Sequence, residues 1–428
     1  MRLYDAYDRE MKAGRPILDE IGVVAVRDRY SSYTSLGLTP ERLALIFKEA
    51  DLGDIGRQAE LFEEMEEKDA HLGSVLATRK LAVSGLDWEV VPASREREGQ
   101  RIASFVKEAL FRIENWDDAL LDMLDAVGKG FSVSEIMWEI AEGKAWIREI
   151  RWRHQKKFTF VNPPSPPLAK GGTGGLLDMP RLITDAEPVY GEDLLPNKFV
   201  VHKYKARSGF TPRGGVLRPC AYMYLFKNYA VKDWVVFNER FAMPLRIGKF
   251  SASTSEADRK VLRNAVYNLG ADAAAVISDS TVIELLESSS KAPSAEIYER
   301  LIGFCDRSVS KAVLGHTGSS ESTPGKLGSE DEARDVRRDI LEADAKAMAK
   351  AVTMQMIRPL VEFNFGPGKN LPVFKFRYEA GEDLKGLAET YRTLIEGGFD
   401  GIPKSHIHKK FGIPGPEGGE ETMKGGRK

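Results

Sequence analysis

Apolar positions along this chain alternate between helical and strand spacing, which predicts a mixed α+β architecture. Thr39-Pro40-Glu41 opens the first helical run, with Thr as N-cap, Pro at the first helical position and an acid in the first turn. Leu43, Ile46 and Phe47 then share one face. Residues 55–83 read as one long helix: Leu61, Phe62, Met65, Leu72, Val75 and Leu76 recur at helical spacing, and the run EEMEEKD is its solvated side. Trp88-Glu89-Val90-Val91-Pro92 reads as a short strand ended by proline. Ile102, Phe105, Val106, Ala109 and Leu110 mark a core-facing helical stripe, and residues 116–127 form another helix that Gly128 is placed to end.

The period then switches to two. Residues 131–140 and 145–152, separated by Ala-Glu-Gly-Lys, carry a hairpin signal loaded with Trp138, Trp146 and Trp152. Short strands are expected at 157–161, 181–184 and 198–205, followed by a Gly/Pro turn at 211–215. Between the first two of these strands, residues 162–175 (NPPSPPLAKGGTGG) hold too much Pro and Gly for a helix or a central strand and read as a surface loop.

Helical spacing returns at 221–241 and stops before Met243-Pro244. Residues 246–250 read as extended. Ser255 to Asp258 resembles a capping box, and the helix it opens has Gly270 at a C-cap position. Residues 273–277 and 282–286 read as strands. Pro293-Ser294 opens a helix that ends near Leu314-Gly315, and 315–329 has the composition of a flexible linker. Residues 330–360 form the longest helical run, about 45 Å if continuous. Val336, Ile340, Ala343, Ala347, Ala351 and Met354 are its expected inner face. The Gly- and Glu-rich tail from Gly412 reads as disordered.

Composition narrows the function classes. A chain of 428 residues exceeds what one compact core usually serves, so several subdomains are expected. A formal net charge of −2 excludes a polyanion binder by bulk charge, and any nucleic-acid contact must be local. Cys220 and Cys305 are too few for a disulfide framework and sit in apolar helical contexts, as buried small hydrophobes do. The first twenty residues lack the apolar run of a secretory signal, and no window is apolar enough for a membrane span.

Each catalytic pattern fails in turn. Residues 318–327 have the wrong spacing for a phosphate-binding loop, and Leu327 stands where a magnesium-holding Ser or Thr is needed. Gly128-Lys129-Gly130 follows a helix and precedes a strand, the reverse of a dinucleotide loop. His406 and His408 are two apart without a completing acid or thiol, and His316 reads as a polar linker residue. No cofactor, metal or catalytic residue is expected. Arg334, Arg337 and Arg338 share one side of a helix just after the linker, with Lys326 inside it. Asp331, Asp335 and Asp339 interleave with them, so a solvated face competes with weak, sequence-independent phosphate contact.

Several segments together resemble the portal proteins of Mu-like tailed phages and prophages. These are the stretch LTPERLALIFKEADLGDIGRQAELFEEMEEKDAHLGSVLATRKLAVSGLDWEV, then GFSVSEIMWE, NERFAMPLRIGKF and SVSKAVLGHT, the helix ending IRPLVEFNFG, and LIEGGFDGIPKSHIHKKFGIP. The insertion at 162–175 departs from the family pattern. The resemblance implies an α+β portal fold with an α/β wing, a helical stem, a small α/β clip and helical crown or tunnel elements.

It implies a ring, usually of twelve copies, at one capsid vertex of the virion, assembled in the host bacterial cytoplasm. The ring would pass double-stranded DNA without sequence specificity. Its implied partners are the terminase large subunit, the major capsid and scaffold proteins, and head-completion and tail proteins, with no membrane. The ATPase would belong to the terminase, so this chain would be no enzyme.

On that reading 1–38 is an N-terminal arm, 39–160 the wing and 161–220 a clip-like β region. Residues 221–314 hold the stem helix and an αβ segment, 315–366 the tunnel or crown element, and 367–428 a C-terminal segment. Lys326, Arg334, Arg337 and Arg338 are the candidate DNA-facing residues. The alternative is a phage structural or scaffolding oligomer without a DNA channel.

Overall fold

The computed structural model describes residues 3–4, 10–11, 16–22, 33–162, 178–241, 246–251, 253–268, 274–278, 291–317, 327–378, 384–399 and 401–411. Lys326, Met243, Pro244, Gly270, the expected strand 282–286, nearly all of the 162–175 insertion, most of the linker and the tail from Gly412 lie outside them. The chain forms two compact units, residues 1–376 and 377–428.

The larger unit begins with a two-residue strand pair, β1 (Leu3–Tyr4) and β2 (Glu10–Met11). Helix α1 (Pro40–Asp51) starts as its sequence implies, with the Thr39 hydroxyl accepting from the Arg42 amide at 3.2 Å. The single helix expected over 55–83 is two, α2 (Gly56–Lys68) and α3 (Ala70–Ser84). Asp69 makes the break: its carboxylate accepts from the His71 and Leu72 amides at 3.0 and 3.1 Å and caps α3.

After β3 (Trp88–Val91) and α4 (Arg97–Phe111), the helix expected over 116–127 also divides, into α5 (Trp116–Met123) and the single turn α6 (Ala126–Lys129). Gly130, at φ 93°, ends it in place of Gly128. A Cβ on Gly130 would lie 2.6 Å from the Thr211 carbonyl, and one on Gly215 would lie 2.1 Å from the Gly128 carbonyl. Gly130 and Gly215 therefore serve a backbone-to-backbone crossing, whereas a Cβ on Gly128 would meet the Leu217 side chain at 2.9 Å.

The hairpin is β4 (Phe131–Ala141) and β5 (Lys144–Arg153), turned by Glu142 and Gly143 at φ 54° and 73°, the left-handed pair that a tight two-residue loop needs. Strand β9 (Phe199–Lys203) pairs with the other edge of β4, giving the order β5-β4-β9. Short strands β6 (Phe158–Thr159), β7 (Arg181–Leu182) and β8 (Glu192–Asp193) form a second small sheet. Phe131, Val133, Phe158, Phe160, Leu182, Phe199 and Val201 close one core with Ala50 and Ile55, so strands on both sides of the 162–175 insertion share it with the hairpin.

Side-chain amides cover the sheet's open edges. Gln355 bonds both the amide and the carbonyl of Val201 at 2.8 and 2.9 Å. Asn364 does the same for Ala145, both at 2.9 Å, and Asn115 for Ile150 at 3.0 and 2.6 Å. Each amide presents a donor and an acceptor, as a neighbouring strand would. Buried Glu135 on β4 accepts from the Ile21 and Gly22 amides at 2.6 and 2.8 Å and pairs with Arg153, which ties residues 16–22 of the expected arm to the sheet.

Helix α7 (Leu217–Phe241) leads to β10 (Arg246–Phe250), α8 (Glu256–Asn268) and β11 (Ala274–Ser278). Strands β10 and β11 are parallel, and α8 packs on both. Helix α9 (Lys291–Leu314) returns along α7. Helix α10 (Leu327–Val352) runs through a single π turn at Thr353–Ile357 into α11 (Arg358–Phe365), and β12 (Val373–Phe376) pairs with β3.

The inner face of α10 differs from the expected one. Asp344, Ala345, Met348 and Val352 are buried with Ala351, while Val336, Ala343, Ala347 and Met354 are exposed. The helix carries small residues on two sides, and the ion pair made by Asp344 selects which side faces in. The smaller unit contains α12 (Leu384–Glu396) and α13 (Lys404–Lys410), joined by the Tyr391–His406 hydrogen bond at 3.0 Å.

Candidate assembly and channel surfaces

Helices α7 and α9 form an antiparallel pair with two different halves. In the inner half, Leu217, Cys220, Ala221, Tyr224 and Leu225 of α7 and Cys305, Val309 and Val313 of α9 are buried. Lys227 clamps this half, its ammonium 2.6 Å from Asp306 and 2.9 Å from Asp69. Burial pushes the Cys220 thiol up to about 12 and raises that of Cys305, so both are packing residues, as their apolar context implies. In the outer half the helices still touch, with Phe237 and Tyr298 rings 6.0 Å apart. Past Ala230, however, no described residue of α7 is buried, and Val235, Val236, Ile297, Leu301 and Phe304 stand exposed. The β10-α8-β11 module is inserted between the two helices.

The end of α9 is held against α10. Gly315 leaves the helix at φ 77°, and a Cβ there would lie 2.8 Å from Val336 and 3.1 Å from Ile340. Both ring nitrogens of His316 are shielded and have no hydrogen-bond partner among the described residues. Burial, and then the Arg337 charge, lower the His316 pKa. Arg334 and Arg337 are exposed on the first turns of α10, and half-buried Arg338 lies 3.6 Å from Asp335. The three arginines are thus neighbours on one helix, and Arg338 has the acidic partner that the interleaved aspartates suggested.

Arg79 joins this region to the rest of the unit, a role no local sequence signal could reveal. Its guanidinium donates to Asp344 at 2.8 and 3.1 Å, to the Val313 carbonyl at 2.6 Å and to the Tyr204 hydroxyl at 2.7 Å. Burial opposes its charge, but Asp344 and Tyr204 outweigh burial and raise its pKa.

A cleft of about 590 Å³ beside α1 and α7 is lined by Phe47, Lys48, Asp51, Arg207, Arg213 and Arg218, with an excess of positive charge. A second concavity of about 390 Å³ holds Glu66, Lys80, Asp122, Asp125 and Lys129 around Trp152. Among the described residues no His, Cys, Asp or Glu group could hold a metal ion, and no helix is long and apolar enough to cross a membrane.

Residues 59–413 match the family model described as the portal protein of Mu bacteriophage. The chain belongs to the Mu portal family. It is 31% identical over 414 residues to the Mu-like prophage FluMu protein gp29 of Haemophilus influenzae, covering 94% of this chain and 76% of that protein. It is 30% identical over 422 residues to the portal protein of Escherichia phage Mu, covering 97% and 78%. The fold also matches a chain from the neck of an empty GTA particle, with TM-score 0.53 and 11% identity over 82% of this chain and 93% of that one. The α+β portal fold implied by the sequence resemblance is the fold of this family.

Proposed function

We propose that this chain is the subunit of a portal ring at one vertex of a phage or prophage capsid, the passage for double-stranded DNA during packaging and ejection. The observation that carries the reading is the family match over residues 59–413. The α7–α9 pair supports it. A closed ring with heterologous contacts needs two different surfaces on each copy, and the outer half of this pair leaves apolar side chains uncovered. The net charge of −2 supports it as well, because a channel dense in Lys and Arg would hold the duplex electrostatically.

On this reading the wing comprises the elements from α1 to β9, α7 and α9 are the stem, and β10-α8-β11 is the clip. The clip is reassigned from residues 161–220 because β9 is an edge of the hairpin sheet and Leu182, Phe199 and Val201 lie in its core. The tunnel-facing element is the α9–α10 connection with Lys326, Arg334, Arg337 and Arg338. The terminase large subunit, capsid, scaffold and head-completion proteins are the partners, twelve copies the expected number, and the work is structural.

Electron microscopy of the purified chain tests this. Rings with an axial channel wide enough for a duplex, about 25–40 Å, are expected. Monomers or filaments as the only native species would overturn the reading in favour of a structural oligomer without a channel.

A further inference from the structure

A concavity of about 390 Å³ lies where β3, the end of α4 and the start of α5 meet. One wall is aromatic. The Trp88 ring sits 4.7 Å from Phe111 and 5.6 Å from Trp116, and it stacks on Phe374 at 5.5 Å. Phe111 is 68% exposed, and the Lys107 ammonium of the same helix lies 5.8 Å from its ring centroid. The other wall is acidic, with Glu114, Asp117 and Asp118 all exposed. No Lys or Arg lines the concavity, and none of the three carboxylates is in an ion pair among the described residues. Trp116, only 7% exposed, also lines it, and its indole N–H has no acceptor among the described residues.

The two walls are held in place. Asn115 bonds both backbone groups of Ile150, and the Glu114 amide donates to the Arg148 carbonyl at 3.1 Å, so the loop between α4 and α5 is pinned to β5. A pinned loop loses little freedom when a ligand arrives.

We propose that this concavity is a docking site for an arginine-bearing segment of a protein partner. An arginine matches both walls at once. Its planar guanidinium stacks on an aromatic face and pairs with a carboxylate through a two-pronged donor set, which a lysine does less well. A purely apolar segment would bury carboxylates without partners, and a nucleic acid would bring phosphates against them. Charge complementarity therefore selects a cationic protein segment. The proposal uses no part of the channel assignment and stands independently of it.

The probe is the peptide acetyl-Gly-Arg-Gly-Arg-Gly-amide, titrated against the full chain and followed by tryptophan fluorescence. Saturable binding near about 1 mM is expected, the strength of a single anchoring contact. The Phe111→Ala variant and the combined Glu114→Gln, Asp117→Asn, Asp118→Asn variant should each weaken it at least about fivefold, or about 1 kcal/mol. These four side chains are exposed, and far-UV circular dichroism and the melting temperature should stay at wild-type values. The matching glutamate peptide should not saturate. Equal binding by wild type and both folded variants would overturn the proposal, as would equal responses to the two peptides or preferential capture of a duplex oligonucleotide.

Discussion

Arg79 and Asp344, separated by 265 residues in the chain, form a two-pronged ion pair at 2.8 and 3.1 Å with both side chains less than a tenth exposed. The pair ties α3 to α10, and the third arm of Arg79 reaches the last turn of α9 at Val313. Removing one member leaves a buried charge uncompensated, which costs about 3–5 kcal/mol. Arg79→Met and Asp344→Leu should each lower the urea midpoint sharply. The double variant should lose clearly less than the two singles together, because the stranded charge is then gone. Additive losses would show that the two residues act separately.

The amide covering β9 makes a narrower prediction. Gln355 lies in the π turn, and its side chain satisfies both backbone groups of Val201. Gln355→Leu keeps the bulk but leaves that donor and acceptor without a partner, at about 1–3 kcal/mol. Hydrogen exchange should rise at Val201 specifically, while Gln355→Glu should retain part of the amide's protection through its acceptor.

His202 faces the core from the same strand, and burial pulls its pKa down to about 4. The unfolded chain takes up this proton near pH 6.5. Between pH 6.5 and 4 the unfolded state therefore binds more protons than the folded one. The resulting stability is fully present above pH 6.5 and is lost as pH falls toward 4, by about 3 kcal/mol in total. His202→Gln should flatten the stability profile over that window. An unchanged slope would place the acid sensitivity elsewhere.

Asp122 has the opposite sign. Burial, then Asp125 and Asp118, raise its pKa to about 6. The folded state here holds the extra proton, so stability falls as pH rises from 3.8 to 6. Because the group is partly exposed, solvent screening reduces the gain expected for Asp122→Asn to about 1 kcal/mol at pH 7–8. Thermal melts of the two proteins should converge below pH 4.

What could be read from the sequence was local. The Thr39 cap, the Glu142-Gly143 hairpin turn, the 246–250 strand and the burial of both cysteines each depend on neighbouring residues, and the structure has them. The division of 55–83 was also encoded locally, since Asp69 precedes a helical run, but helical periodicity on both sides of it masked the break. Other features depend on residues far apart in the chain. Gly130 rather than Gly128 ends α6 because of the Thr211 and Gly215 backbone beyond it, and Ala343 and Ala347 face outward because Arg79 holds Asp344 inward. Local spacing gave a mixed α+β architecture, and family likeness, which sums weak signals over the whole chain, pointed to the portal fold within it.

The three arginines at the start of α10 give the prediction that bears most directly on the channel. Arg334 and Arg337 are exposed, and Arg338 is shared with Asp335 at 3.6 Å, which reduces the charge that Arg338 can offer to a phosphate. If this turn lines the passage, replacing all three by Gln should leave ring formation intact and reduce DNA retention in filled heads, most visibly at low salt. Each lost phosphate contact should lower the slope of log affinity against log salt by about 0.9. Arg337→Gln alone should also let the His316 pKa rise, because the charge that helps to lower it is removed. If rings form and both DNA retention and its salt dependence match wild type, these side chains do not face the duplex.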